Sequence, residues 1–299
     1  MASIKPISHL HLAVPSMLFA CFIYALLSAA IKKEMGQLSV QGILFWRYLL
    51  SFLLFIPWMM YQNRGSRLDL KPGSWFFYIV RVLASMASIY LYCAALRNLS
   101  VGMTSLLYNM LPLFVPIITY LWKKVPIDHK LWWGFGVSLI GVIVVLMPGK
   151  VEWSYGMLLA VIAGIFGAVS LVSIRFAHYE EPLYRINFYV FLLAFLFTAP
   201  LTFLSVQRSW GDLTFSQFPS LLFIGVAGFL YQQSYTYALK HAPARFLAPL
   251  MYSTVIWAVL LDNFLWGTSF SVTTWIGTLL IILGNVLIYL LYPKKELSS

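Results

Sequence analysis

Two arginines stand inside long apolar runs of the sequence, where charged side chains are uncommon. Arg47 lies in the run that begins near residue 40, and Arg81 lies in the run that begins near residue 74. A charged side chain within a bilayer costs about 2.5–3.5 kcal/mol on insertion scales, so such residues face protein or water and are functional candidates. A guanidinium group donates two parallel hydrogen bonds to a carboxylate or phosphate. Arg81 is therefore predicted to bind an acidic group of a solute, with snorkelling to the lipid headgroups as the alternative, whereas Arg47 is predicted to be structural or gating.

Acidic side chains and catalytic motifs are scarce in the same runs. Apart from Asp262, no Asp or Glu lies deep in an apolar run, and proton coupling usually employs such a carboxylate. The sequence contains no HExxH, GxSxG or GxxxxGK[ST] pattern. Cys21 and Cys93 have no partner spacing for a metal. We therefore predict no catalytic residue, no cofactor and no metal site, and we expect facilitated movement or exchange of a solute. The alternative is proton coupling through histidines at span ends, such as His11 and His241.

The composition predicts that helices crossing a membrane position these residues. Hydrophobic residues make up 61% of the 299 residues and charged residues only 10%, compared with about 25% charged residues in a soluble domain. A helix needs about 20 apolar residues to cross a bilayer. Ten runs of suitable length are predicted as spans, at 10–31, 40–61, 74–97, 100–122, 130–147, 153–176, 184–205, 216–239, 243–265 and 272–292.

The distribution of Lys and Arg predicts the orientation of these spans. The net charge of +11 is scattered between the apolar runs and does not form the basic patch that nucleic-acid binding requires. One set of alternate loops carries 13 Lys and Arg residues and the other set carries 5. Because cytoplasmic loops carry the excess, both termini are predicted to be cytoplasmic, in a bacterial-type inner membrane.

An internal repeat divides the chain into two halves. Residues 31–148 align without a gap with residues 174–291, at a constant offset of 143 positions. The repeat predicts two units at 1–148 and 149–299, each with five spans. Because five is odd, the second unit enters the membrane from the opposite side, which is the architecture of many secondary transporters. Residues that match include Pro57 with Pro200, Asp69 with Asp212, Trp132 with Trp275, Gly134 with Gly277, and Gly141 with Gly284.

These features resemble the drug/metabolite transporter superfamily, in particular its EamA-type branch. The segments 90–114 and 231–260 are similar to the family's third-to-fourth and eighth-to-ninth helix hairpins. Arg47 in "FWRYLLS" matches an arginine common in the second helix, and glycines match those of the fifth and tenth helices. The family often has a Glu just after its fourth and ninth helices, where this chain has Val125 and Thr268.

The resemblance implies a central cavity surrounded by the first, third, fourth, sixth, eighth and ninth spans. Residues 105, 108, 109 and 112 share one face of a continuous helix and are predicted to form a polar stripe, while Pro112 and Pro249 permit bending. Gln232 and Gln233 either line the cavity or join helices by hydrogen bonds. The predicted substrate-binding residues are Arg81, Tyr24, Tyr92, Ser105, Tyr108, Asn109, Gln232, Gln233, Tyr235, Tyr252 and Trp257.

The sequence thus predicts an all-α polytopic membrane protein with ten helices in two inverted five-helix repeats around a central cavity. We expect a carrier, not an enzyme, that moves a small polar or amphiphilic metabolite by alternating access. The expected substrate is an amino-acid-like or S-adenosylmethionine-like zwitterion, since arginine suits its anionic group and tyrosine its cationic or aromatic part. The expected partners are this solute and the lipid bilayer, with the chain a monomer or loose homodimer. An intramembrane enzyme and a channel are the alternatives.

Overall fold

A computed structural model describes residues 10–63, 69–71, 75–124, 131–146, 154–176, 182–204, 217–241, 247, 250–268 and 271–291. Within these ranges the regular structure is helical and contains no strand. The helices are α1 Leu10–Glu34, α2 Val40–Gln62, α3 Trp75–Leu96, α4 Val101–Tyr108, α5 Leu111–Lys123, α6 Leu131–Leu146, α7 Tyr155–Phe176, α8 Leu183–Leu204, α9 Phe218–His241, α10 Ser253–Trp266 and α11 Val272–Leu291.

The helices confirm the expected all-α, polytopic fold. Six segments of the described chain are long and apolar enough to cross a membrane, namely those of α1, α2, α3, α4 with α5, α7 and α8. Two further apolar stretches, within α10 and α11, are shorter. Each of the ten predicted spans coincides with a helix or with a pair of consecutive helical segments.

Contacts at the helix ends define two opposite faces. At the first, which we call the Lys32 face, Lys32 Nζ near the end of α1 donates to the Leu99 carbonyl at 2.9 Å, just before α4. At the second, which we call the Asp69 face, Arg185 near the start of α8 contacts Asp69 between α2 and α3, with Nη2 2.7 Å from Oδ2. α1 and α3 therefore end at the Lys32 face, whereas α3 and α8 begin at the Asp69 face.

Asp69 is held at its face by the chain around it. Its Oδ1 accepts the backbone N–H of Lys71 at 3.0 Å. This hydrogen bond, followed by the charge of Arg185, lowers the pKa of Asp69 below its ordinary value. Because the carboxyl group lies in water, this contact contributes little to stability and weakens with added salt.

The fourth predicted span is not one continuous helix. It ends as α4 at Tyr108 and resumes as α5 at Leu111. Pro112, at the second position of α5, lacks the N–H that would bond to the Tyr108 carbonyl in a continuous helix, so it favours a break. At the end of α4, Asn109 Nδ2 donates to the Ser105 carbonyl at 2.7 Å. The prediction of one continuous helical face through residues 105, 108, 109 and 112 was therefore wrong.

The ninth predicted span is interrupted at the related position. Met251 is helical, Tyr252 forms a turn, and α10 begins at Ser253. Tyr252 is 143 positions after Asn109, the residue that ends α4. Both breaks thus occur at the same register of the repeat. Pro249, which was predicted to bend this span, lies outside the described residues.

A glycine allows α6 and α11 to approach closely. A Cβ atom on Gly141 would lie 2.7 Å from the Ile281 backbone nitrogen and 2.8 Å from the Gly277 carbonyl oxygen. Backbone atoms yield little, so a side chain here forces the helices apart. By contrast, a Cβ atom on Gly136, also in α6, would meet nothing within 4 Å.

We predict that Gly141→Ala destabilises the protein and that Gly136→Ala does not. The added methyl group on Gly141 overpacks the interface, which costs about 1–3 kcal/mol. The measurement is the midpoint of thermal unfolding of both purified variants in the same detergent. Equal midpoints for the two variants would show that the α6–α11 approach is not close.

Candidate substrate cavity

A cavity lies among α1, α2, α3, α7, α8 and α9, beside the break between α4 and α5. It contains about 70 Å³ of space that the centre of a water molecule can reach. This volume holds water, whereas a larger metabolite requires movement of the walls. We call it the arginine cavity. Its polar lining consists of Tyr24, Arg47, Tyr48, Arg81, Ser85, Ser88, Tyr108, Ser170, Tyr231, Gln232 and Tyr235.

Both intramembrane arginines line this cavity. Arg47 and Arg81 are each only 5% exposed, so Arg81 does not extend to the protein surface as a snorkelling side chain would. No acidic side chain lines the cavity, and neither guanidinium forms an ion pair with any residue that the structure describes. Arg47, expected to be structural or gating, therefore shares the site with Arg81. Among the described residues, the cavity carries two positive charges without a counter-ion.

Tyrosine rings form one wall of the cavity. The ring centroid of Tyr24 lies 4.8 Å from that of Tyr231 and 6.2 Å from that of Tyr108. The ring of Tyr235 continues this wall, with its centroid 5.5 Å from Tyr231 and the two planes 23° apart. These distances are typical of favourable aromatic pairs. The wall presents flat apolar surface and hydroxyl groups to a solute.

Two predicted binding residues lie behind this wall. Tyr92 Oη is 3.1 Å from Ser28 Oγ and 2.9 Å from Ser105 Oγ. Tyr92 and Ser105 are 1% and 0% exposed, and neither lines the cavity. Because Tyr92 packs against Tyr24 at 5.6 Å between centroids, the group supports the tyrosine wall from outside the cavity.

The predicted glutamine pair has two different positions. Gln232 lines the cavity, and its Nε2 donates to Asn187 Oδ1 at 3.2 Å and to Thr236 Oγ1 at 3.0 Å. Gln233 accepts from Asn187 Nδ2 through its Oε1. Gln233 therefore joins α8 to α9, as the alternative interpretation of the pair predicted. Asn187, which the sequence analysis did not select, is the centre of this network.

Three other predicted residues lie away from the arginine cavity. Asn109 lines a much smaller void beside it. Tyr252 is 2% exposed and packs in an apolar cluster with Met103 and Ile281. Trp257 is 39% exposed and contacts Phe22 edge-on, with 5.0 Å between ring centroids. The prediction had assigned the ninth span to the cavity wall without fixing the rotation of that span about its axis.

The sequence analysis missed several residues that line the cavity. Ser85 and Ser88 follow Arg81 at positions +4 and +7, so helical spacing places them on its face. Tyr48 directly follows Arg47, and its ring centroid is 5.2 Å from the guanidinium carbon of Arg47. The +4 and +7 spacing from Arg81 was a signal available in the sequence for the two serines. No such signal marked Tyr231, which is one of several tyrosines in its segment.

Positions related by the repeat meet at this cavity. Four pairs of lining residues are each separated by 143 positions. Positions that correspond in the two halves of the chain therefore line the same cavity. The pairs are Tyr24 with Gly167, Arg47 with Val190, Ser88 with Tyr231, and Ile89 with Gln232.

Asp262 joins three helices at the Lys32 face. Its carboxylate is 0% exposed and accepts the backbone N–H groups of Val101 and Gly102 at the start of α4. Lys32 Nζ lies 4.0 Å from Asp262 Oδ1 and 5.0 Å from the ring centroid of Trp266. A carboxylate at a helix N-terminus is favourable because it satisfies unpaired N–H groups and the helix dipole. α1, α4 and α10 are thereby joined at one face.

A sequence profile of the EamA-like transporter family matches residues 11–147 and again residues 154–290. The chain belongs to this family. It is similar to an uncharacterized transporter of Helicobacter pylori, at 23% identity over 96% of this chain and 97% of that protein. It is also similar to a riboflavin transporter of Vibrio cholerae, at 25% identity over 84% of this chain and 83% of that protein.

A solved crystal structure shares the fold of this EamA-like transporter. The two superpose with a TM-score of 0.70 over 95% of this chain and 98% of the other, at 16% sequence identity. Membership of the family, together with the apolar helices, identifies the chain as a multi-pass membrane transporter. The resemblance to the drug/metabolite transporters is thereby confirmed.

We predict that Asn187→Leu destabilises this EamA-like transporter. The change leaves Thr236, Gln232 and Gln233 without their shared partner, and each buried polar group left unsatisfied costs about 1–3 kcal/mol. The measurement is the thermal unfolding midpoint. Thr198→Val is the matched control, because the Thr198 hydroxyl bonds to the carbonyl of Ala194 in its own helix. A midpoint for Asn187→Leu no lower than that of the control would contradict a joining role for the network.

Proposed function

We propose that the protein is a secondary transporter of the bacterial-type cytoplasmic membrane that carries a small amphiphilic metabolite with an acidic group and a flat apolar part. The observation that supports this most directly is the arginine cavity, in which Arg81 and Arg47 lie beside a tyrosine wall and have no counter-ion in the part of the chain that the structure describes. Arginine binds carboxylates bidentately, and tyrosine packs on flat apolar groups. The site thus provides one surface for each part of the solute.

The lining of the arginine cavity favours an amino-acid-like solute over an S-adenosylmethionine-like one. An amino-acid-like solute offers a carboxylate to the guanidinium groups, whereas the sulfonium of an S-adenosylmethionine-like solute adds a further positive charge to a site that has no acid. The Vibrio cholerae relative is named a riboflavin transporter, and a flat heteroaromatic ring is compatible with the tyrosine wall. We therefore propose an amino-acid-like or heteroaromatic organic acid.

We further propose that residues 1–148 and 149–299 are inverted repeats that give alternating access. The two matches of the family profile and the repeat-related pairs that meet at the cavity support this arrangement. Two related bundles rocking about one central site expose it to each side in turn. With both termini cytoplasmic, as the Lys and Arg distribution indicates, the Lys32 face is the outer face.

We predict that Arg81→Ala reduces transport much more than it reduces folded yield. Losing the charge-assisted contact to a substrate acid costs about 2 kcal/mol or more, a roughly thirtyfold loss of affinity. The substrate is first found by thermal shift with amino acids, aromatic carboxylates and riboflavin, since a ligand of the native state raises its stability. Uptake into proteoliposomes then measures the effect. Arg81→Lys, which keeps the charge, is the control and should retain partial transport; an equal loss of yield and uptake in Arg81→Ala would indicate a structural role.

We predict that Asp262→Asn opens the Lys32 face more often. An amide loses the charge that faces Lys32 and the α4 N-terminus, and about 1.4 kcal/mol of lost closure energy raises the open fraction tenfold. The probe is Ser85→Cys in a background with Cys21 and Cys93 replaced by Ala. The measurement is its rate of modification in intact cells by a membrane-impermeant thiol reagent.

The matched control for this experiment is Thr119→Val. Thr119 is 143 positions before Asp262, and its hydroxyl bonds to the Val115 carbonyl of its own helix at 2.7 Å. We expect faster modification with Asp262→Asn and an unchanged rate with Thr119→Val. An unchanged rate in both variants would exclude a closing role for Asp262.

A further inference from the structure

Arg47 has an unused hydrogen-bond donor at the arginine cavity. Its Nη1 atom is buried and has no hydrogen-bond partner among the residues that the structure describes. The native state of a protein rarely leaves a buried charged donor unsatisfied, because its desolvation is not repaid. The side chain also lines the cavity, which holds water and admits a larger solute when its walls move. We infer that an acceptor on such a solute satisfies Nη1 in the bound state.

Neighbouring residues hold the Arg47 guanidinium in place. The ring of Tyr48 lies beneath it, with 5.2 Å between the ring centroid and Cζ. In addition, α9 approaches this side chain closely because Gly228 lacks a side chain, and a Cβ atom there would be 3.2 Å from both Cγ and Nε of Arg47. A guanidinium fixed by its surroundings loses little conformational freedom when it binds. These contacts position Arg47 for recognition.

The charges in the cavity set the number of acidic groups that a solute needs. Arg47 and Arg81 contribute two positive charges, and no acidic side chain among the described residues lines the cavity. A solute with one acidic group leaves one guanidinium uncompensated in a site of low dielectric, where charges interact strongly. A solute with two acidic groups compensates both.

We propose that the arginine cavity recognises two acidic groups on one organic solute, with Arg47 as the second anion-binding residue beside Arg81. This inference rests on the proposed function and narrows its substrate class to organic dianions with a flat apolar frame, such as aromatic dicarboxylates. The tyrosine wall contacts the frame, and the two guanidinium groups bind the acids. Arg47 is therefore a residue that determines specificity, and it also packs from α2 against Gly228 of α9.

The experiment compares probes with one and two carboxylates. Benzoate, phthalate, isophthalate and terephthalate are titrated against the purified full-length protein, and binding is measured by calorimetry and by thermal shift. The three dicarboxylates differ in the distance between their acids. We expect the best-fitting dicarboxylate to bind about tenfold or more tightly than benzoate, because it engages a second bidentate site.

Variants of Arg47 test which residue provides this preference. Arg47→Gln should weaken the dicarboxylate to the level of benzoate and leave benzoate bound through Arg81. Arg47→Lys should retain part of the preference, because it keeps the positive charge but lacks the two parallel donors of the guanidinium. Ser51→Ala is the matched control: Ser51 Oγ bonds to the Gly225 carbonyl of α9 at 2.7 Å and does not line the cavity. It should retain the full preference.

The outcomes separate this inference from the proposed function. A dicarboxylate preference that disappears in Arg47→Gln, while that variant still binds benzoate, supports the inference and shows that the variant is folded. Benzoate binding that depends on Arg81, combined with equal affinity for all four probes, overturns the inference and leaves the proposed function intact. Binding of none of the four probes overturns the inference, whereas the proposed function is tested separately by the uptake experiment with Arg81→Ala.

Discussion

Much of this structure follows from the lack of water within the membrane, because every buried polar group there needs a partner in the protein. Asp262 shows the rule fulfilled: two backbone N–H groups and Lys32 surround its carboxylate. Arg47 shows the rule unfulfilled, since its Nη1 has no partner among the described residues. Asp262 therefore joins helices, whereas the proposed partner of Arg47 is an acceptor on a bound solute. Burial alone would have classed the two together.

The break between α4 and α5 follows from the same constraint. Pro112 leaves the Tyr108 carbonyl without its helical donor. α7 approaches that carbonyl closely because Gly164 has no side chain: a Cβ atom there would lie 2.9 Å from the oxygen. A second glycine of α7, Gly167, faces the Tyr108 hydroxyl and Ser88, where a Cβ would lie 3.0 and 3.3 Å away. The break between α4 and α5 and the glycines of α7 together leave open the space that the arginine cavity occupies.

The sequence alone was sufficient to predict the helices and to select Arg81, which lines the arginine cavity, because apolar runs and a charge within one of them are one-dimensional signals. It did not predict which way a uniformly apolar helix faces. Trp257 was assigned to the cavity, yet it is 39% exposed, and Tyr252 packs in an apolar cluster instead. Asn187 was not selected because a single Asn has many possible partners. Its role depends on Gln232, Gln233 and Thr236 of another helix, and only the packing of α8 on α9 determines it.

The two proposed repeats share their helices but not their buried charged residues, and this difference affects how the solute binds and how the two faces close. The positions related to Arg47 and Arg81 are Val190 and Ile224, so both cations come from the first half, and a solute with distinct ends binds in one orientation. At the Lys32 face the buried Asp262 joins three helices, whereas its counterpart Thr119 bonds within its own helix. In the proposed alternating-access mechanism, this difference makes closure of the two faces unequal in energy and favours closure at the Lys32 face when no solute is bound. A bound solute then supplies the energy that reverses this preference.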